Sequence, residues 1–263
     1  MSERLLQPLA DGAGAPTVTV DFGGGRHEAE FADLFRDLAI GGPVLELAPL
    51  SLVLGEGAPS TCGGYVDAYA EALAARQAPA CLMGYCVAGA LAHELAVRLA
   101  EAGRAPARVV LFDAAPVSPA EVVAAYEKVS RASAGEMAGT LQELAREMAA
   151  TGASVHLQGV RAELAQQLGS ECERMGVDPD SPLGEELIGR QTAWFAYVLA
   201  ACSAPLSAYE GEVTLICSRR RVTPEDWPAT TVRRHDVDVA QAELLSAPPV
   251  RALVAALLEE VPR

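Results

Sequence analysis

The stretch ACLMGYCVAGALAHELAVRLA, residues 80–100, sets the reading of the whole chain. Residues 80–85, ACLMGY, form the short apolar run that a strand buried on both faces presents. The run turns at Gly84-Tyr85-Cys86-Val87-Ala88-Gly89 and passes at once into a helical pattern. A strand that ends in Gly-x-nucleophile-x-small-Gly and leads straight into a helix forces its central residue into a tight, strained turn. Small residues are needed on either side because the two backbones nearly touch. Gly84 takes the first of those places and Ala88 the second, backed by Gly89. Cys86 stands at the apex, where a serine is usual, with the helix N-terminus beneath its thiol.

Outward from this turn, strand and helix patterns alternate. TVTVDF (17–22) and PVLELAPL (43–50) read as strands, and ARVVLFDAAP (107–116) as the strand that follows the helix at 89–102. EAEFADLFRDLAI (28–40) is helical in spacing, with Phe31, Leu34, Phe35 and Leu38 on one face, and YVDAYAEALAARQ (65–77) is a further helix. The first sixteen residues read as a disordered start. Such alternation implies a mostly parallel sheet with helices on both faces, and ligand sites at the carboxyl ends of its strands. The glycine turn 23–25, Cys86 and Asp113 all follow strand ends.

From about 117 to 200 the alternation gives way to successive amphipathic helices, the first and fourth opened by Ser-Pro start signals. An insertion of this kind serves as a lid over the strand ends or as a helical subdomain with no gating role. EVTLICS (212–218) and TVRRHDVDV (231–239) resume the sheet, and PPVRALVAALLEEV closes the chain. One domain over residues 1–263 is expected, with the helical insertion at approximately 117–200.

The formal net charge of −15, from 35 acidic and 20 basic residues, argues against nucleic-acid binding through phosphates. Docking to an acidic partner would need a local basic patch. Arg219, Arg220, Arg221, Arg233 and Arg234 are the candidates, with a solvated strand end as the plain alternative. No apolar run approaches the ~20 residues of a membrane span. The start MSERLLQPLADGAGAP lacks the charged opening and apolar centre of a secretory signal, so a soluble cytoplasmic protein is expected. Cysteines 62, 81, 86, 172, 202 and 217 show no CxxC or other metal spacing and read as reduced thiols. No metal is expected, and nothing in the chain fixes its oligomeric state.

On these residues the chain resembles the α/β-hydrolase thioesterases that serve polyketide and nonribosomal peptide synthetases, as a stand-alone form with an elbow cysteine. TVDFGGGRHEAEFADL resembles the first-strand block of that family, GYCVAGALAHELAVRL its nucleophile block, and YVLAACSAPLSAYEGEVTLICS the return from lid to sheet. The similarity runs over roughly residues 17–255. It implies an α/β-hydrolase fold with Asp113, in VVLFDAAP, as the triad acid, and backbone N–H groups of Gly24 and Val87 as the oxyanion hole. It also implies a substrate carried on the phosphopantetheine arm of an acyl or peptidyl carrier protein, with no cofactor held by the chain itself.

The resemblance breaks at the histidine. The family's V-x-G-x-H-x-x-L-L-x-x-P frame falls on Val237 to Pro248 here, and Gln241 occupies the histidine position. His235 lies six residues upstream, about 20 Å away along a continuous strand. His93 sits two turns into the elbow helix, pointing toward packing, His156 lies in the helical insertion, and His27 follows the glycine turn. By location His27 is the leading substitute base.

A thiol is a better unaided nucleophile than a hydroxyl, because a few per cent is thiolate at neutral pH and a helix N-terminus raises that share. Hydrolysis of an acyl-cysteine needs a base for the attacking water, and a carboxamide at 241 does not take protons near neutrality. On the sequence alone, the favoured reading is a thioesterase-family enzyme forming an acyl-Cys86 intermediate and passing the acyl group on. A hydrolytic editing or product-releasing thioesterase and a non-catalytic carrier-docking protein are the other two.

Overall fold

The computed structural model describes residues 5–22, 30–36, 38, 40–48, 59, 61–130, 135, 137–151, 158–220 and 223–260. Its strands are β1 (Leu6–Ala10), β2 (Thr17–Val20), β3 (Val44–Leu47), β4 (Cys81–Tyr85), β5 (Arg108–Phe112), β6 (Tyr209–Cys217) and β7 (Ala229–Asp236). They form one seven-stranded sheet in the order β1-β3-β2-β4-β5-β6-β7. Only β1 runs antiparallel, against β3 at the edge. The expectation of a disordered start is corrected here. Leu6–Ala10, LQPLA, is half-exposed without a clean alternation, which an edge strand tolerates but which carries little apolar signal.

The two faces of the sheet separate by the period-two rule. Cys81, Met83, Tyr85, Val110, Phe112 and Ile216 project to one side, where they pack with Phe31, Leu34 and Phe35 of α1 (Phe31–Phe35) and with Val250, Val254 and Leu257 of the terminal helix. Each such fully buried side chain contributes about 2 kcal/mol of transfer free energy. Leu82 and Gly84 project to the other side, where the helix after the elbow, Val87–Glu101, lies against β4. Helices thus cover both faces of a mostly parallel sheet, the α/β-hydrolase architecture with an inserted helical lid region.

We number the helices α1, α2 (Cys62–Leu73), α3 (Val87–Glu101), α4 (Pro119–Ser130), α5 (Met137–Thr151), α6 (Gln158–Arg174), α7 (Pro182–Ala201) and α8 (Pro248–Glu259). Contacts divide the chain into two compact units. The first, residues 1–49, 65–116 and 206–263, contains the sheet. The second, residues 50–64 and 117–205, contains α4 to α7. Inside the second unit, Tyr126 of α4 meets Phe195 of α7 edge-on at 5.8 Å, and its hydroxyl donates to Glu163 of α6 at 3.3 Å. Ser181 caps α7 by accepting from the Gly184 N–H at 3.2 Å, with Pro182 at the first helical position, as the Ser-Pro signal foretold. Among the described residues, no helix is long and apolar enough to cross a membrane.

Candidate active site

The parallel register places four strand ends side by side. Tyr85 is opposite Phe112, Phe112 opposite Ile216, and Ile216 opposite His235. The residues that follow these ends therefore emerge along one edge. Backbone bonds extend the ladder a step further, from the Cys86 N–H to Phe112 O at 2.8 Å and from the Asp113 N–H to Ile216 O at 3.0 Å. The loops beyond β6 and β7 are joined by the Arg219 N–H donating to Val239 O at 3.0 Å. This junction brings residue 241 back beside residue 86.

Cys86 is the residue just before α3, with φ 52° and ψ −121°, the strained turn its sequence context required. The turn depends on missing side chains. A Cβ on Gly84 would sit 2.6 Å from the Ala92 Cβ and 2.9 Å from the Gly89 Cα, and one on Gly89 would overlap the Ala114 side chain. Gly89 therefore has to stay a glycine, while the small side chain of Ala88 is buried beside it. Val87 is the first helical residue, so its N–H has no intrahelical acceptor and faces outward at the positive end of α3.

Cys86 differs from the other five cysteines. It is half-buried, whereas Cys62, Cys81, Cys172, Cys202 and Cys217 are buried, and none is disulfide-bonded. Burial pushes the Cys81 and Cys202 thiols up to about 12 and raises that of Cys217. These thiols belong to the core.

Gln241 opens a short 3-10 turn, Gln241–Glu243, and its side chain reaches the elbow. Its Nε2 donates to Cys86 Sγ at 3.4 Å, and its Oε1 accepts from Arg220 Nη1 at 2.7 Å. Its backbone carbonyl accepts from the Tyr85 hydroxyl at 3.0 Å. The structure thus brings Gln241 and Cys86, 155 positions apart, into direct contact. Arg220 is the partner that sequence reasoning missed. It was visible only as part of a basic run, and nothing in that run distinguishes it from its neighbours.

Asp113 follows β5 with φ 44° and no solvent exposure. Its Oδ1 accepts from the Ser218 N–H at 2.7 Å, which ties the end of β5 to the end of β6. Its Oδ2 is buried with no hydrogen-bond partner among the described residues. Asp113 does not hold Gln241, whose amide is occupied by Cys86 and Arg220. A buried carboxylate oxygen left unpaired is costly, and this one lacks the donor that an imidazole would supply.

Two of the four histidines can be placed. His93, fully buried in α3, accepts from Trp227 Nε1 through Nδ1 at 3.0 Å, so its Nε2 donates to Ser207 O at 2.7 Å. Burial lowers its pKa, and its role is packing, as its position two turns into the helix suggested. His235 is half-buried in β7, which ends at Asp236 instead of continuing to 239, so the separation inferred for a longer strand does not apply. His27, His156 and the oxyanion candidate Gly24 lie outside the described residues.

With this geometry in hand, the family model described as "Thioesterase domain" matches residues 18–188. The chain belongs to this thioesterase family. A 117-residue segment of the thioesterase is 38% identical to part of the polyketide synthase GfsE of Streptomyces halstedii, a match over 42% of this chain and 3% of that much longer protein. Among solved structures, the Vlm2 thioesterase domain bound with a dodecadepsipeptide superposes with a TM-score of 0.59 at 17% identity, covering 97% of each chain. The NocB thioesterase domain, in covalent complex with a fluorophosphonate nocardicin G analogue, gives 0.55 at 19% identity, covering 97% of this chain and 98% of that one. The four-domain nonribosomal peptide synthetase AB3403 gives 0.67 at 17% identity, covering 98% of this chain and 20% of that one. At these identities the likeness is one of fold.

The family match corrects the expected mechanism. Thioesterases of this family work through a serine, histidine and aspartate set, so the reading of an elbow-cysteine branch that stores an acyl group on Cys86 and favours transfer over hydrolysis is withdrawn. The physical reason is that the elbow constrains backbone geometry and neighbouring size, not the element at the tip of the side chain. The strand–turn–helix pattern therefore carried the fold without licensing a separate cysteine chemistry.

Proposed function

We propose that this thioesterase hydrolyses acyl thioesters presented on the phosphopantetheine arm of an acyl or peptidyl carrier protein in polyketide or nonribosomal peptide biosynthesis. The observation that carries this reading is the elbow itself: the strained turn at Cys86, the α3 N-terminus beneath it and the Gln241 amide in contact with it. The thioester carbonyl is held at the turn and its oxygen takes the Val87 N–H, where developing negative charge is stabilised by the helix N-terminus. Water adds to the carbonyl carbon, the C–S bond breaks, and the pantetheine sulfur leaves as the thiol with a proton from that water. Gly24 is the second candidate donor, by resemblance.

Gln241 orients the bound group through its Nε2 donor and takes no proton near neutrality. Asp113 braces the edge through Ser218. Because residue 241 lacks an imidazole, release of free acid is slower than at a histidine-bearing site, by as much as the ~10²–10⁴-fold that positioned general-base catalysis supplies.

The test is to incubate the protein with acyl-loaded carrier proteins and follow free acid by mass spectrometry against carrier alone. Acid release above that background, lowered in Cys86→Ala and Gln241→Ala, is the expected result. Release at the background rate for every acyl group tried overturns the proposal.

A further inference from the structure

Of the described arginines after β6 and in β7, three are paired with carboxylates. Arg219 pairs with Asp238 at 2.8 Å, Arg233 with Glu212 at 2.9 Å and Arg234 with Asp236 at 2.9 Å. Arg220 is different. Among the described residues it makes no ion pair, and its guanidinium is exposed. Two bonds hold it beside the elbow: its backbone N–H donates to Ser218 Oγ at 3.2 Å, and its Nη1 to Gln241 Oε1 at 2.7 Å. An uncompensated positive charge is thereby fixed to the amide that touches Cys86.

Its reach follows from covalent geometry. Across the Gln241 amide, Arg220 Nη1 lies at most about 8 Å from Cys86 Sγ. In an extended acyl chain, a second carboxyl group two or three carbons beyond the thioester carbonyl lies roughly 4–5 Å from that carbonyl, within range of the guanidinium. The phosphodiester of the carrier arm is separated from the thioester sulfur by the whole pantetheine chain, about 15 Å, and is out of range when the thioester is at the turn. Guanidinium groups recognise carboxylates in a forked, charge-assisted geometry, and Arg220 spends one of its five donors on Gln241.

We propose that Arg220 makes the site selective for acyl groups that bear a second, free carboxylate two or three carbons beyond the thioester carbonyl, that is, for short dicarboxylic acyl thioesters. This rests on the thioesterase reading of the elbow for the placement of the acyl carbonyl. The charge on Arg220 draws the carboxylate, and the Gln241 amide sets the direction in which the guanidinium points.

The experiment is calorimetric titration of the full chain with two non-hydrolysable amide analogues, succinyl-pantetheine and the isosteric, uncharged 4-methylpentanoyl-pantetheine. The carboxylated analogue is expected to bind roughly ten- to a hundredfold more tightly, with the preference shrinking as salt is raised. Arg220→Gln is expected to bring the ratio of affinities near one, and Arg220→Lys to retain part of it. Equal binding by the wild type, preference for the neutral analogue, binding of neither, or an unchanged ratio in Arg220→Gln each overturn the inference. Hydrolysis of the two corresponding thioesters separates the two proposals. Turnover without charge selectivity removes this inference and keeps the thioesterase. Charge-selective binding without turnover does the reverse.

Discussion

Helix α3 carries two polar clusters, and their difference separates a brace from a site. At its N-terminus, Cys86, Gln241 and Arg220 form an open chain of contacts, and the neighbouring Asp113 keeps one carboxylate oxygen unpaired among the described residues. Two turns along, His93 has both ring nitrogens engaged, by Trp227 and Ser207, and Glu94 takes the backbone N–H and hydroxyl of Ser207 at 2.7 and 2.9 Å. The His93 cluster is closed: each donor has an acceptor inside it, and Trp227 and Tyr209 stand edge-on to the ring. Closed polar networks stabilise a unique packing, whereas an open one leaves groups for a ligand to satisfy.

The comparison can be broken first at the backbone contact that both clusters depend on. Gly84→Val places side-chain atoms where Ala92 and Gly89 already are, and we expect a loss of about 3 kcal/mol in urea unfolding. A loss under ~1 kcal/mol would mean that strand and helix are not in the tight contact described. His93→Ala opens the closed cluster, leaving the Trp227 N–H and the Ser207 carbonyl unpartnered beside a cavity. A destabilisation of about 2–4 kcal/mol is expected, with the acid-release rate of the folded protein unchanged. A fall in that rate at constant folded fraction would tie the cluster to the site.

Gln241→His sharpens the other side. A histidine there would meet Cys86 and give the unpaired oxygen of Asp113 a donor, so acid release from a loaded carrier should rise, by about 10²-fold in a single-turnover assay. An unchanged rate would show that residue 241 does not occupy the base position. The smallest effect is on pH. Burial lowers the pKa of His93, so the unfolded chain takes up a proton near 6.5 that the folded chain refuses. Stability is therefore full above pH 6.5 and declines below it, by up to about 1.4 kcal/mol per unit, until the folded value is passed. Thermal midpoints measured from pH 8 to 5.5 should fall along that limb. A flat profile would contradict a neutral, closed His93.

Much of the fold was legible because its signals are local. The apolar run 80–85, the small residues at 84 and 89 and the helical period after them specify strand, turn and helix within twenty residues, and the four helices of the insertion announce themselves by period, the first and fourth also by Ser-Pro starts. The edge strand β1 was not legible. Its side chains are half-exposed, and its pairing with β3 is a long-range event with no local mark. Nor was the early end of β7, since TVRRHDVDV alternates beyond the point where the ladder stops.

The sequence by itself determined that Cys86 sits at a strained strand-to-helix turn and that residue 241 carries an amide, not an imidazole. Both follow from short-range sterics and from identity at a position. Only the tertiary structure decided which groups meet there. Register aligned the ends of β4, β5, β6 and β7, and the Arg219–Val239 bond folded the two loops together. That packing gave Gln241 to Cys86 and Arg220, and Asp113 to Ser218. Residues 86, 113, 220 and 241 are separated by up to 155 positions, and contact over such spans is set by packing of the sheet, not by any local pattern.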